Sequence, residues 1–127
     1  MRRNERGAAA VEFALVLPLL VLLFAGIAEL GRIYYLQAML SGAAREGVRV
    51  MALQNDTTAS VAAVQAAAGS VAVSNSQIAV TPATGTCRSV TTPVQATVTI
   101  TFTTPLVSSV FGTSVTVYGR GVMRCGG

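Results

Sequence analysis

A single carboxylate inside a long apolar stretch is the feature of this sequence best suited to specific chemistry. Glu12 is the only charged residue from Ala8 to Ala28, a run of 21 residues. A carboxylate in hydrocarbon costs roughly 2.5–3.5 kcal/mol at mid-span and less near the end, where its side chain can extend to the headgroups. No basic residue of the same span can pair with Glu12, since Arg32 lies about five helical turns further on. The sequence therefore predicts that another molecule supplies its cation.

The apolar run is long enough to cross a membrane. At about 1.5 Å per residue, a helix over Ala8–Ala28 covers roughly 31 Å, which matches the hydrocarbon core of a bilayer. Arg2, Arg3 and Arg6 precede it, and positive residues stay in the cytoplasm. We therefore expect a single-pass membrane protein with a cytoplasmic N-terminus and the rest of the chain outside the cytoplasm.

The two cysteines, Cys87 and Cys125, form the second candidate constellation. A zinc site needs more ligands, and the chain contains no histidine. In an oxidising compartment a disulfide is the preferred interpretation, and closing a loop of about 39 residues would stabilise a small domain by roughly 3–4 kcal/mol. Two unpaired thiols are the alternative.

Composition argues against several functional classes. The net charge of +4 comes from arginine alone, but the arginines neither cluster nor alternate with aromatic residues, so no nucleic-acid partner is expected. The five acids are scattered, and the serines and threonines have no histidine base. We therefore expect neither an enzyme nor a cofactor or metal.

The residues around the start of the apolar run resemble a known family. Arg6-Gly7-Ala8-Ala9-Ala10-Val11-Glu12-Phe13 resembles the class III signal of type IV pilins and pseudopilins. With Pro18, Glu29, Arg32 and the stretch Ala43–Gly47, the segment from Arg6 to about Val50 is similar to TadE-like pseudopilins of the tight-adherence (Flp) pilus system.

The resemblance implies roles for Gly7, Ala8 and Glu12. A prepilin peptidase would cut between Gly7 and Ala8, which makes Glu12 the fifth residue of the mature chain. In the family, this glutamate pairs with the new N-terminal amine of a neighbouring subunit. The implied protein is a pseudopilin or minor pilin whose partners are the membrane, the peptidase, other pilins or pseudopilins and the pilus assembly machinery. The resemblance also implies a single-pass inner-membrane protein with a cytoplasmic N-terminus and a periplasmic C-terminal domain, which could reach a pilus or the cell exterior after assembly.

Two other interpretations of the N-terminus remain open. The protein could be an uncut, membrane-anchored periplasmic scaffold or binding module. It could also be a secreted protein cut after Ala28, because Gly26-Ile27-Ala28 is a small-x-small site. The three interpretations predict mature chains that begin at Ala8, Met1 and Glu29, respectively.

The sequence predicts an α+β fold in which the long N-terminal helix packs on a small antiparallel sheet. The expected division is a leader over 1–7, a transmembrane helix over 8–28, a periplasmic continuation of the helix over 29–53 and a small α+β head over 54–127. In the continuation, apolar residues recur at helical spacing and should face the head: Ile33, Leu36, Leu40, Ala44, Gly47 and Met51.

Within the head, Asp56, Thr57 or Thr58 should start a short helix over Ala59–Ala68 that Gly69 ends. Strict alternation predicts a strand at Val94–Thr103 with one buried face. The other expected segments are strands at Val71–Val73, Gln77–Thr81 and Val115–Arg124, a loop over Thr81–Pro93 and one helical turn over Leu106–Phe111.

Overall fold

The structure is a computed structural model that describes residues 2–87, 94–106 and 112–126. Its first element is a single α-helix, α1, over Arg2–Gln54, which continues through Pro18. The chain divides into two compact units, Met1–Arg32 and Ile33–Gly127. The division into leader, span, continuation and head remains a prediction.

The first unit consists of the N-terminal part of α1. Every residue from Arg3 to Ala28 is exposed, and the helix is long and apolar enough to cross a membrane. A helix that is hydrophobic all round is either buried in a core or surrounded by lipid. None of these side chains is buried within the described chain, and the helix has the length and composition of a single-pass membrane anchor.

In the second unit, α1 is amphipathic. Its buried side chains recur every three or four residues, while Arg45 and Arg49 are exposed. The fully or largely buried residues of this stripe are Leu36, Leu40, Ala43, Ala44, Gly47, Val48, Met51 and Ala52. The predicted apolar stripe is thereby confirmed.

A second helix, α2, spans Thr57–Ala67. Asp56 caps it, because one carboxylate oxygen accepts hydrogen bonds from the backbone N–H of Thr58 (2.8 Å) and of Ala59 (3.4 Å). Gly69 follows the helix at a φ of +60°, a conformation that favours glycine. The predicted short helix and its capping signals are confirmed.

Three antiparallel strands form the sheet in the order β1-β2-β3. They span Ile78–Thr81, Gln95–Pro105 and Ser114–Arg124, respectively. On the central strand β2, Ala96, Val98 and Ile100 are fully buried, as the alternation predicts. Ile100 pairs with Ile78 on one side and with Gly119 on the other. The predicted strands at these three places are confirmed, with bounds that differ by one or two residues.

The helix and the sheet approach each other closely along β3. A Cβ atom added to Gly119 would lie 2.5 Å from the backbone of Leu40, and one added to Gly121 would lie 2.6 Å from the carbonyl oxygen of Ala44. Only glycine fits at both positions. The second part of α1 therefore packs directly on the sheet, which confirms the α+β class.

One predicted strand is wrong. Residues 71–74 form no strand, and Asn75–Gln77 is a short 3₁₀ helix. The backbone groups of the Val71–Val73 segment are bonded elsewhere, since the Val71 N–H donates to Ala68 and the Val73 carbonyl accepts from Gln65. Of the other predictions, residues 107–111 of the expected helical turn and residues 88–93 of the expected loop lie outside the described residues.

Candidate processing and assembly site

Gly7, Ala8 and Glu12 lie in the first turns of α1 and are exposed. Ala8 and Glu12 are four residues apart, so they share one face of the helix, one turn from each other. Within residues 3–87, 94–106 and 112–126, no cation lies within ion-pair distance of Glu12. The site is thus one carboxylate on an otherwise apolar helical surface.

The fold itself does not require a glycine at position 7. A Cβ atom at Gly7 would meet nothing within 4 Å, and glycine in a helix interior costs about 1 kcal/mol relative to alanine. Gly26 has equally open surroundings, so open space alone does not distinguish Gly7. What sets Gly7 apart is its position between the basic start and the apolar run.

Further along α1 the charges form local pairs. The Arg32 guanidinium lies 2.7 Å from the Glu29 carboxylate, whereas the more exposed pair Arg49–Glu46 is 3.9 Å apart. Both are i,i+3 pairs, as the spacing indicates, and exposed pairs of this kind contribute only tenths of a kcal/mol. Among the side chains that the structure describes, Glu12 differs from Glu29 and Glu46 in having no such local partner.

The second constellation is the disulfide between Cys87 and Cys125, whose Cα atoms are 5.4 Å apart. Cys87 is buried, at 2% exposure, within the core cluster. Its backbone N–H donates to the side-chain oxygen of Asn55 at 3.0 Å. At the other end, the Cys125 N–H donates to the Val94 carbonyl at 2.9 Å. The disulfide joins the segment after β1 to the end of β3.

Asn55 connects this disulfide to the end of α1, a role that sequence reasoning did not identify. It has a φ of +57°, the left-handed conformation that asparagine tolerates best after glycine. Its N–H donates to Met51 at 2.9 Å, and its carbonyl accepts from Gly85 at 3.3 Å. The available signal was an asparagine placed between the end of one helix and the cap of the next.

The side chains that could bind a metal ion are dispersed in the described parts of the chain. No group of three or more histidine, cysteine, aspartate or glutamate residues could hold a metal ion there. The one reactive pair of cysteines is oxidised. The distinctive chemical feature of the described chain is therefore the unpaired carboxylate of Glu12 at the start of α1.

The similarity of this chain to a known protein family lies within the N-terminal helix. Residues 7–49, about a third of the chain, match the model of a family described as TadE-like protein. No curated protein and no solved structure matches the chain at a significant level. The matched range includes Gly7, Ala8 and Glu12 and ends before Asn55 and the disulfide. Over residues 7–49 the chain is therefore similar to TadE-like proteins.

Proposed function

We propose that this protein is a pseudopilin or minor pilin of tight-adherence pilus biogenesis. A prepilin peptidase cuts it between Gly7 and Ala8, and it then assembles with other subunits through its N-terminal helix. The observation that carries the proposal is Glu12, which is exposed in an apolar helix and has no ion-pair partner among the described side chains. It lies within a segment that matches TadE-like proteins.

Cleavage would create the cation that Glu12 lacks. Hydrolysis of the Gly7–Ala8 peptide bond releases residues 1–7 and leaves an ammonium group on Ala8, near one end of the apolar run. A carboxylate and an ammonium at similar depth neutralise each other, which reduces the free-energy cost of both charges in a poorly hydrated environment. Processing and assembly are therefore linked by one ion pair.

Helix geometry predicts how far neighbouring subunits are displaced from each other along the helix axis. Four residues separate Ala8 from Glu12, which is about 6 Å along an α-helix. A neighbouring helix displaced by about this distance brings its amine level with Glu12. Repeating the contact would build a row of subunits, each offset by about one helical turn.

Residues on both sides of the apolar run support one orientation in the membrane. The arginines before the span favour a cytoplasmic N-terminus, where the peptidase acts. The disulfide Cys87–Cys125 suits an oxidising compartment, which the periplasm provides. We therefore place the unit that follows the span in the periplasm.

The first experiment compares two matched glycine substitutions, Gly7→Val and Gly26→Val. Both positions are exposed with nothing within 4 Å of a Cβ, so neither substitution should disturb packing. N-terminal sequencing of the wild-type protein from the native host should give Ala8. Gly7→Val should retain Met1, because the added side chain obstructs recognition of the glycine, while Gly26→Val should still begin at Ala8.

The same pair of variants separates the alternatives. A mature chain that begins at Glu29, and is lost in Gly26→Val, would identify a secreted protein cut after Ala28. A wild-type chain that retains Met1 would identify an uncut anchor and overturn the processing step.

The second experiment tests the pairing role with Glu12→Gln, using Glu46→Gln as its control. Glu46 lies on the same helix and pairs only weakly with Arg49. Glu12→Gln should be processed and accumulate in the membrane but fail to join pilus subunits in cross-linking from intact cells. Glu46→Gln should cross-link as the wild type does. Normal cross-linking of a processed Glu12→Gln protein would contradict the pairing role.

A further inference from the structure

We propose that the outer boundary of the bilayer lies at Tyr34 and Tyr35, whose rings sit among the lipid headgroups, about two helical turns beyond Ala28. The inference rests on the membrane span of the proposed function and extends it. It assigns a lipid-contacting surface to residues beyond the expected span.

The exposed apolar surface of α1 does not stop at Ala28. From Val11 to Tyr35, successive exposed large apolar side chains are never more than four residues apart. Beyond Tyr35 the next one described on α1 is Leu53. The end of this exposed apolar surface marks where a helix leaves lipid for water.

The two tyrosines point away from the protein core. Tyr34 is 75% exposed and Tyr35 is 55% exposed, whereas the next residue, Leu36, is buried. Exposed Gln37 then continues the helix. Two adjacent exposed aromatic residues at this transition fit an interface that has an apolar and a polar side, since a tyrosine ring prefers hydrocarbon and its hydroxyl prefers hydrogen-bonding groups.

The length of helix agrees with this boundary. Val11 to Tyr35 covers about 36 Å at 1.5 Å per residue. This exceeds the hydrocarbon core of about 30 Å and is less than the 40–45 Å that includes the headgroups. The tyrosines therefore fall in the headgroup layer when Val11, the first exposed large apolar residue, lies near the opposite layer.

Two charged residues also fall in the stretch that the new boundary adds. Glu29 and Arg32 lie 2.7 Å apart, and the Glu29 side chain is largely shielded. A paired carboxylate and guanidinium tolerate a partly hydrated layer far better than separate charges do. The long side chain of Arg32 can also extend toward lipid phosphates. The ion pair is thus compatible with the headgroup layer.

The absence of tryptophan from the sequence allows a direct test. Single substitutions place one fluorophore at each chosen site of the full chain, which is reconstituted in phosphatidylethanolamine–phosphatidylglycerol vesicles. The vesicles contain spin-labelled phosphatidylcholine with the quencher near the headgroup or deep in the acyl chain. The test variants are Tyr34→Trp and Tyr35→Trp, with Leu19→Trp as the control inside the span and Tyr118→Trp as the exposed control on β3.

We expect the shallow quencher to reduce the emission of Tyr34→Trp and Tyr35→Trp at least twofold more than the deep quencher does. Leu19→Trp should show the opposite preference, and Tyr118→Trp should respond to aqueous iodide only. Iodide quenching of positions 34 and 35 equal to that of position 118, or emission shielded from both lipid and iodide, would overturn the boundary. If Leu19→Trp also escaped lipid quenching, the span itself would be refuted, whatever the processing experiments show.

Discussion

The two parts of helix α1 differ in where their side chains find partners. From Ala8 to Ala28 every residue is exposed, whereas between Leu36 and Ala52 a stripe of side chains is buried against the sheet and α2. The backbone is the same α-helix throughout. The apolar side chains of the first part therefore need partners outside the chain, whereas those of the second part are buried by contacts within it.

The two units also differ in whether their polar groups find partners within the chain. In the second unit, polar groups are satisfied internally: the Ser60 hydroxyl donates to the Gly47 carbonyl at 2.7 Å, and Asn55 accepts from Cys87. Glu12 has no such partner within the described residues. A substitution at Glu12 should therefore affect assembly, while substitutions in the second unit should affect folding.

Removing the disulfide should have the largest effect on folding. With 38 residues of separation, the chain-entropy model gives a loss of about 4 kcal/mol for Cys87→Ser combined with Cys125→Ser. The measurement is the urea concentration at which a protease digests the head of the full chain in detergent. Membrane insertion, assayed by carbonate extraction, should not change, because the exposed apolar stretch over residues 8–28 contains neither cysteine. Equal urea midpoints with and without the disulfide would show that the head does not depend on it.

Truncating one leucine in each part of α1 tests the comparison directly. Leu40→Ala should destabilise the head by roughly 2–5 kcal/mol, because it leaves a cavity under the sheet at a fully buried site. Leu19→Ala should leave the urea midpoint unchanged, since its side chain is exposed within the first unit. If both variants lowered the midpoint equally, the two parts of α1 would not differ as described.

Much of the second unit could be predicted from sequence because its signals are local. Alternation identified β2, and Asp56 followed by an apolar segment and Gly69 identified α2. These patterns depend on residues within one element, and the structure keeps them. Local patterns could not predict that Gly119 and Gly121 must be glycines. The atoms that exclude a larger side chain there belong to the backbone of α1, more than 70 residues earlier in the sequence.

The errors and omissions arise where distant partners decide the structure. The segment Val71–Val73 has the composition of a strand, but the Gln65 side chain donates a hydrogen bond to the carbonyl of Val73. The side chain of Asn55 accepts a hydrogen bond from Cys87, 32 residues away. The position of Asn55 between two helices indicates a turn, but it does not identify this partner. At the candidate site, the sequence was sufficient to single out Glu12, because a lone charge in an apolar run is visible without any tertiary contact.

The cap of α2 should show the smallest effect and sharpens the comparison within the second unit. Asp56→Ala removes the oxygen that accepts from Thr58 and Ala59, which should destabilise the head by about 1 kcal/mol. Asp56→Asn keeps an equivalent acceptor and should lie within a few tenths of a kcal/mol of the wild type. The same urea and protease assay can rank both variants against Leu40→Ala. Equal losses for alanine and asparagine would mean that the charge of Asp56, rather than its cap geometry, stabilises the helix through its dipole.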